Sequence, residues 1–289
     1  QASFGENSFS FFEEQGGETG SIIRKDIVYN PFMSLIDEQN MGVKYGIDLT
    51  ETWKLSSMVS HGQNNYEDGI ARDPYLMQNQ LEQEQYEGTV SVSMMRLQKD
   101  FEEMTFAFDG GIAYEEKTML GAVNEGAFET EDGTITQFYS LNFSANPTEL
   151  LRFFGGYTKG ITEVKAGENS FFTELSKFET SSFHVGADYK INKKTSFGMI
   201  VAQPLRIDKA NANLEYAISR DSVENSFVVE SHTVNLTPTA HETDVQAFLS
   251  HKTDGVTIDF GVLYQHNPAH SKELPDDTTG IISFKWAMQ

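Results

Sequence analysis

Cysteine is absent from the 289 residues, which excludes disulfide scaffolds, Cys-ligated zinc and thiol nucleophiles. The absence does not fix a compartment, but it suits an oxidising space in which stray thiols are a liability. Basic residues are scarce: 21 Lys+Arg stand against 43 Asp+Glu, a net charge of −22 with histidine neutral. Binders of nucleic acid need basic patches and no Lys/Arg-rich run supplies one, so no nucleic acid partner is expected. Long apolar runs are also missing, and a transmembrane helix would need about 18 such residues or more. The opening residues Gln1-Ala2-Ser3-Phe4-Gly5 lack the basic and apolar regions of a signal peptide. A signal already removed, or a piece of a longer chain, is the expectation. Helical periodicity over a dozen residues is lacking throughout, and only 171–178 reads as a short helix.

What is present is large apolar surface in an alternating pattern. The chain is 38% hydrophobic with Phe 22 and Tyr 11, enough to argue against full disorder. In 182–191, Phe183, Val185, Ala187, Tyr189 and Ile191 fall on one face, and Ser182, His184, Gly186, Asp188 and Lys190 on the other. Segments 104–115, 256–265 and 282–289 repeat this period of two, the strand signature. Weaker examples lie at 43–49, 53–60, 90–96, 139–145, 151–158, 196–203, 213–218, 227–234 and 243–250. The count is roughly 12 to 14 strands, with ends uncertain by a few residues. Short turns such as Asn146-Pro147-Thr148, Ile191-Asn192-Lys193-Lys194 and Lys252-Thr253-Asp254-Gly255 alternate with long polar connections at 62–88, 160–180 and 267–279. That alternation suits a hairpin barrel with a tight-turn end and a long-loop end.

The direction of the apolar faces decides between two architectures. A soluble sandwich packs them together and leaves the polar faces wet. Three features favour the opposite arrangement. Many strands reach the 9–11 residues that cross a bilayer. The polar faces carry small residues and scattered charges, as at Ala107, Asp109, Gly111 and Ala113. A barrel of about 12 strands is too wide for side chains to fill, so its apolar faces belong in lipid. Tyr45, Tyr114, Tyr157, Tyr189, Tyr264 and Trp286 would then sit at interface depth. Patterning alone leaves the membrane barrel and the soluble β-rich domain both open.

A series of short words in the C-terminal third points further. It begins with the run from Ser196-Phe197-Gly198 to Gln203-Pro204-Leu205-Arg206-Ile207, followed by Ala212-Asn213-Leu214, Val234-Asn235-Leu236-Thr237-Pro238 and Glu242-Thr243-Asp244-Val245. It closes with Gly261-Val262-Leu263-Tyr264-Gln265-His266-Asn267-Pro268-Ala269-His270 and Pro275-Asp276-Asp277. In this order they resemble the C-terminal autotransporter-like β-domain of Gram-negative subtilisin-like serine proteases. Asn30-Pro31-Phe32, Met119-Leu120-Gly121 and Gly126-Ala127-Phe128 fall where that region has similar words, so the resemblance spans about residues 25 to 289. It implies an outer-membrane barrel that anchors or exports a passenger, with a protease domain that is not in this chain. Three departures stand out. The chain is far more acidic than the family leads one to expect. It ends Trp286-Ala287-Met288-Gln289 where such barrels end in an aromatic residue, and residues 1–30, with Gly5, Gly16, Gly17 and Gly20, do not read as a lumenal helix.

No catalytic, cofactor-binding or metal residue is singled out. No glycine-flanked reactive serine of a subtilisin-type triad appears. His266 and His270 are four apart, but Asn267 and Pro268 between them break helical geometry. Asp276-Asp277 and Glu13-Glu14 lack the spaced ligands of a calcium loop. Ser182 and His184 share a face, a common coincidence on one strand. Asp109, Arg152, Asp188, Lys190 and Asp259 read as lumen charges, and hydration is their expected role.

The expectation is therefore an all-β, antiparallel up-and-down transmembrane barrel of about 12 strands, with 1–30 as an N-terminal linker and 31–289 as the barrel domain. It is expected not to be an enzyme and to need no cofactor. Its expected partners are outer-membrane lipid, a passenger in cis and the barrel-assembly machinery. A surface or extracellular β-rich assembly protein is the alternative, and a small-solute porin a third reading.

Overall fold

The computed structural model describes residues 2–4, 30–64, 88–116, 118–123, 130, 133–168, 170–221, 226–253 and 255–286. The strands in chain order are β1 (Ala2–Phe4), β2 (Ile36–Asp48), β3 (Trp53–Asn64), β4 (Thr89–Asp100), β5 (Met104–Glu115), β6 (Thr118–Met119), β7 (Ala122–Val123), β8 (Thr134–Ala145) and β9 (Leu151–Glu163). There follow β10 (Phe172–Leu175), β11 (Phe178–Asn192), β12 (Thr195–Lys209), β13 (Asn211–Asp221), β14 (Ser226–Asn235), β15 (Thr243–Lys252), β16 (Val256–His266) and β17 (Asp277–Trp286). Twelve of them form one antiparallel sheet in the order β1-β2-β3-β4-β5-β8-β9-β11-β12-β15-β16-β17. Every sheet neighbour is the next wall strand along the chain, which is up-and-down topology. The total exceeds the count from periodicity because β1, β6, β7 and β10 are too short to show alternation; outside the wall, β6-β7 and β10-β13-β14 make two smaller sheets. Among the described residues the helical stretches are two one-turn 3-10 segments, Pro31–Met33 and Pro268–His270. The short helix expected at 171–178 is instead β10, which pairs with β13.

Alternation produces two unlike faces. On β8, Thr134, Thr136, Phe138 and Ser140 are buried, while Ile135, Tyr139 and Leu141 are exposed. On β5, Ala107, Asp109, Ala113 and Glu115 are buried, while Phe106, Phe108, Ile112 and Tyr114 are exposed. The sheet curls around its buried face: Ile36 of β2, Val92 of β4, Phe138 of β8, Phe178 of β11 and Leu205 of β12 share one apolar cluster. Strands so far apart in sheet order meet only if the sheet wraps toward a cylinder.

The two ends differ. At one end, hairpins turn tightly between β2 and β3, β4 and β5, β8 and β9, β11 and β12, and β15 and β16. The other end carries the long connections and the β10-β13-β14 sheet. The connection expected over 160–180 shrinks, because β9 continues to Glu163 and β11 begins at Phe178. Most of the expected 62–88 connection, like Glu13-Glu14 and Gly126-Ala127-Phe128, lies outside the described residues.

Inward glycines let large rings lie flat across the sheet. Gly186 pairs with Phe154, and a Cβ on Gly186 would meet the Phe154 ring at 2.5 Å and the Met199 carbonyl at 2.9 Å. A ring covering a cross-strand glycine fills an inward space that the glycine leaves open. Crowding therefore governs this position: Gly186→Val is expected to cost about 1–3 kcal/mol through overpacking. Urea unfolding in detergent micelles checks it, with Ser144→Val, at a half-buried inward site, as control.

Candidate functional site

The interior holds three layers. Nearest the tight-turn end are charges. Arg96 of β4 grips Asp109 of β5 through two bonds, Nε to Oδ1 at 2.6 Å and Nη2 to Oδ2 at 2.7 Å. The Asn142 amide adds a third at 2.9 Å. Arg96 and Asp109 sit directly opposite on neighbouring strands, so sheet register sets the fork. Asp109 is fully buried, so the Arg96 pair takes the place of the expected hydration. Asp259, also buried, accepts from Ser250 at 2.6 Å and from Ser283 at 3.4 Å. Arg152 lies 3.9 Å from Asp188 on the neighbouring strand. Lys190 is exposed at the tight-turn end.

The second layer is an apolar stopper. Asn30 caps the Pro31–Met33 turn by accepting from the Phe32 amide at 3.0 Å, and its own amide donates to Ser140 on the wall at 3.0 Å. Phe32 and Met33 are thereby carried inside, where Phe32 stacks on Phe138 with ring centroids 4.8 Å apart. Leu120 joins them from a tight turn held by Glu115. That buried carboxylate accepts from the Leu120 and Gly121 amides, each at 2.8 Å, and from Thr118 at 3.0 Å. Leu120 takes a positive φ of 52°, a strained choice for a branched residue that the three bonds to Glu115 hold in place.

The third layer is the long-loop rim, where Leu205 and Arg206 of β12 meet the β14–β15 and β16–β17 loops. Arg206 donates to the carbonyls of Ala240 at 3.0 Å and Pro238 at 3.1 Å, and to Asp208 at 3.1 Å. His270 is buried, with Nδ1 accepting from the Glu242 amide at 2.8 Å and Nε2 donating to the Leu205 carbonyl at 3.1 Å. Gln265 donates to Glu242 at 3.0 Å, and Asn267 to the His241 carbonyl at 3.3 Å. These contacts tie the β16–β17 loop and the β14–β15 loop onto the end of β12.

Burial pushes the His270 ring down from its ordinary pKa of 6.5, and both nitrogens are committed to a neutral tautomer. The latch is therefore complete above about pH 6.5 and is lost as pH falls toward the lowered folded value. Protonation would aim an N–H at the Glu242 amide donor. The protection factor of the Glu242 amide, which removes the intrinsic pH dependence of exchange, is expected to fall as pH drops from 7 toward 5, and in a His270→Gln variant it should be flat over that window. Equal pH responses in the two proteins would contradict the latch.

His266 and His270 do not converge, since His266 pairs with exposed Asp276 at 2.9 Å. Asp276 also accepts from the Tyr264 hydroxyl at 2.5 Å, a bond that holds its carboxyl below the usual range. Asp277 accepts from the Thr278 amide. Among the described residues no group of three or more His, Asp or Glu is placed to hold a metal ion. Ser182 and His184 share no hydrogen bond, and His184 turns inward beside Phe154. One Ser–His contact escaped the sequence because its members lie 30 residues apart: His61 Nδ1 and Ser91 Oγ, at 2.7 Å on the outward face. The ladders on both sides of β4 engage its backbone donors, so the backbone beside Ser91 offers no free amides for an oxyanion hole.

The outward face is the largest uniform surface. Val59, Met95, Leu141, Val185 and Val262 are each about half exposed. Mid-strand outward positions, such as Val43, Val59, Ile112, Leu141, Val185, Met199 and Phe260, carry no charge, and charges return at the rims. At the tight-turn rim Lys99 lies over the Trp53 ring at 4.9 Å. At the long-loop rim Lys159 pairs with Glu179 at 3.2 Å. Tyr45, Tyr114, Tyr189, Tyr264 and Trp286 lie outward near strand ends as expected. Tyr157 stands six residues from either end of β9 and belongs to mid-depth.

No family model matches the chain, and no curated protein matches it. Among solved structures it is similar to the toluene transporter TodX of Pseudomonas putida, at 11% identity and TM-score 0.43, over 86% of this chain and 73% of that one. The deltaS2 mutant of the monoaromatic hydrocarbon channel TodX gives 9% identity at the same TM-score and coverage. LpxR from Salmonella typhimurium gives 8% identity and TM-score 0.30, over 86% of this chain and 88% of that one. The chain's own faces, not these distant likenesses, carry the functional reading.

Proposed function

We propose that this chain is a β-barrel of the Gram-negative outer membrane that anchors a passenger domain in cis, as its likeness to the β-domains of subtilisin-like autotransporters implies. The observation that carries the reading is the outward face, apolar and uncharged at mid-height on strands long enough to cross a bilayer. A monomer in water rarely exposes more than a few hundred Å² of contiguous apolar surface. In lipid the same surface is solvated, and aromatic and charged side chains at the two rims match the interfaces. The tight turns then face the periplasm and the long connections the exterior.

The stopper of Phe32, Met33 and Leu120 favours holding over passing. A filled interior serves an anchor, whereas an exporter or a solute channel needs an open one. No chemistry is assigned to this portion, and its partners are lipid, the passenger and the machinery that inserts barrels. Two measurements test the reading. After inner and outer membranes are separated, the protein should sediment with the outer membrane and resist carbonate extraction. Reconstituted in planar bilayers, it should give no steady conductance. A carbonate-soluble protein would favour a surface-assembly role with a protein partner over the apolar face, and a stable open pore would favour the porin.

A further inference from the structure

We infer that β1 is the twelfth wall strand, closing the barrel between β2 and β17, so that any domain joined ahead of β1 lies on the tight-turn side and is not threaded through the lumen. The inference rests on the membrane reading above and goes beyond it to the side on which a passenger sits. Four observations lead there.

The first is parity. Without β1 the sheet has eleven strands, each antiparallel to the next, so β2 and β17 run in the same direction. Direct closure would make one parallel seam in an otherwise antiparallel wall. A strand between them, antiparallel to both, restores an even count. The second is occupancy: β1 already pairs with β2 antiparallel, through Ala2↔Val43, Ser3↔Gly42 and Phe4↔Met41. That ladder takes the edge of β2 that β17 would need.

The third is the state of β17. Among the described residues its ladder is to β16 alone, and both of its faces are open, with Ile281 45% and Ile282 59% exposed. An unpaired strand edge is not tolerated in the hydrocarbon layer, because its backbone N–H and C=O groups find no partners there. The open edge of β17 is thus a place for a strand, and β1 is the strand at the opposite end of the sheet order, the one that closure would bring to it. The fourth is direction. Phe4 pairs nearer the start of β2 than Ala2 does, so β1 runs from the tight-turn end toward the long-loop end. Trp286 pairs with Val256, just after a tight turn, so β17 finishes at that same end. A segment ahead of β1 therefore leaves the wall at the tight-turn rim, the periplasmic side in this orientation.

The chain has no cysteine, which allows disulfide mapping without background. The test uses the full-length protein in native outer membranes, with cysteine at Ser3 or Phe4 paired in turn with cysteine at each position from 279 to 284. Cross-links are expected to one β17 position and its neighbours two residues away, with Ser3→Cys and Gly42→Cys linking as the positive control. Direct links from cysteine at Val43 or Tyr45 to β17 would overturn the closure in favour of a parallel seam. Loss of every β1 link, the control included, would overturn β1 as a wall strand. For sidedness, an epitope tag ahead of Gln1 should resist protease in intact cells and be cut once the outer membrane is permeabilised. Cleavage in intact cells would place the upstream segment outside and overturn the inference. A protein absent from the outer-membrane fraction would instead fail the underlying membrane reading.

Discussion

Asp109→Ala is expected to destabilise the folded protein by about 3–5 kcal/mol, the usual cost of removing one partner of a buried pair. The loss is not the value of the pair itself. It is the penalty of leaving the Arg96 guanidinium inside without its carboxylate, since the neutral Asn142 amide supplies no compensating charge. An Arg96→Met, Asp109→Leu double variant should recover much of the loss, since apolar side chains of similar size can replace a buried ion pair at little cost. Urea unfolding in detergent or liposomes, following tryptophan fluorescence, gives the three values. A single variant within about 1 kcal/mol of wild type would mean that water reaches the pair, and the interior would then be wetter than the structure shows.

The second large effect tests which way the faces point. Val185 and Gly186 are neighbours on β11 with opposite orientations, but Gly186 is packed under Phe154 and makes a poor inward reference. Ser144 is better, because it lies one step from Val185 in depth: Phe143 pairs with Gly155, which pairs with Val185, and Ser144 pairs with Phe154. Val185→Arg should cost about 2–4 kcal/mol of stability in lipid, as a cation at mid-bilayer does. Ser144→Arg faces a polar interior and should cost under about 1 kcal/mol. The contrast should shrink if unfolding is measured in a soluble state without lipid. Equal costs in lipid would remove the inside–outside assignment.

Much of the wall was legible because a strand with one apolar face and one polar face must alternate with period two. Phe260 and Val262 against Asp259 and Gly261 is the clearest instance, and β16 follows it closely. The same pattern cannot say which face is enclosed; that needs the curl of the sheet, which brings Val92, Phe138 and Leu205 together. Local spacing misled at β10. Phe171, Phe172, Leu175 and Phe178 fall at helix-like intervals, yet pairing with β13 decides the backbone. On β12 an irregularity between Ser181 and Phe183 of its partner β11 breaks the alternation, and Gln203 to Arg206 are all buried.

The interior was less legible for a different reason. Residues expected merely to be hydrated, such as Asp109 and Asp259, find partners on adjacent strands through register, which sequence spacing does not encode. The rim latch depends on contacts across 28 and 65 residues, from His270 to Glu242 and to Leu205. Neither separation leaves a mark in local spacing, so the latch appears only once the loops are placed.

The measurement that bears most directly on the central claim is gel mobility of the protein in purified outer membranes, run in SDS with and without boiling. A closed barrel with its apolar face already in lipid or detergent keeps its structure in cold SDS and migrates faster unboiled than boiled. The account predicts that shift, and predicts that Asp109→Ala lowers the temperature at which it disappears. A single band at one position, from a protein that partitions into the soluble fraction, would contradict the membrane barrel.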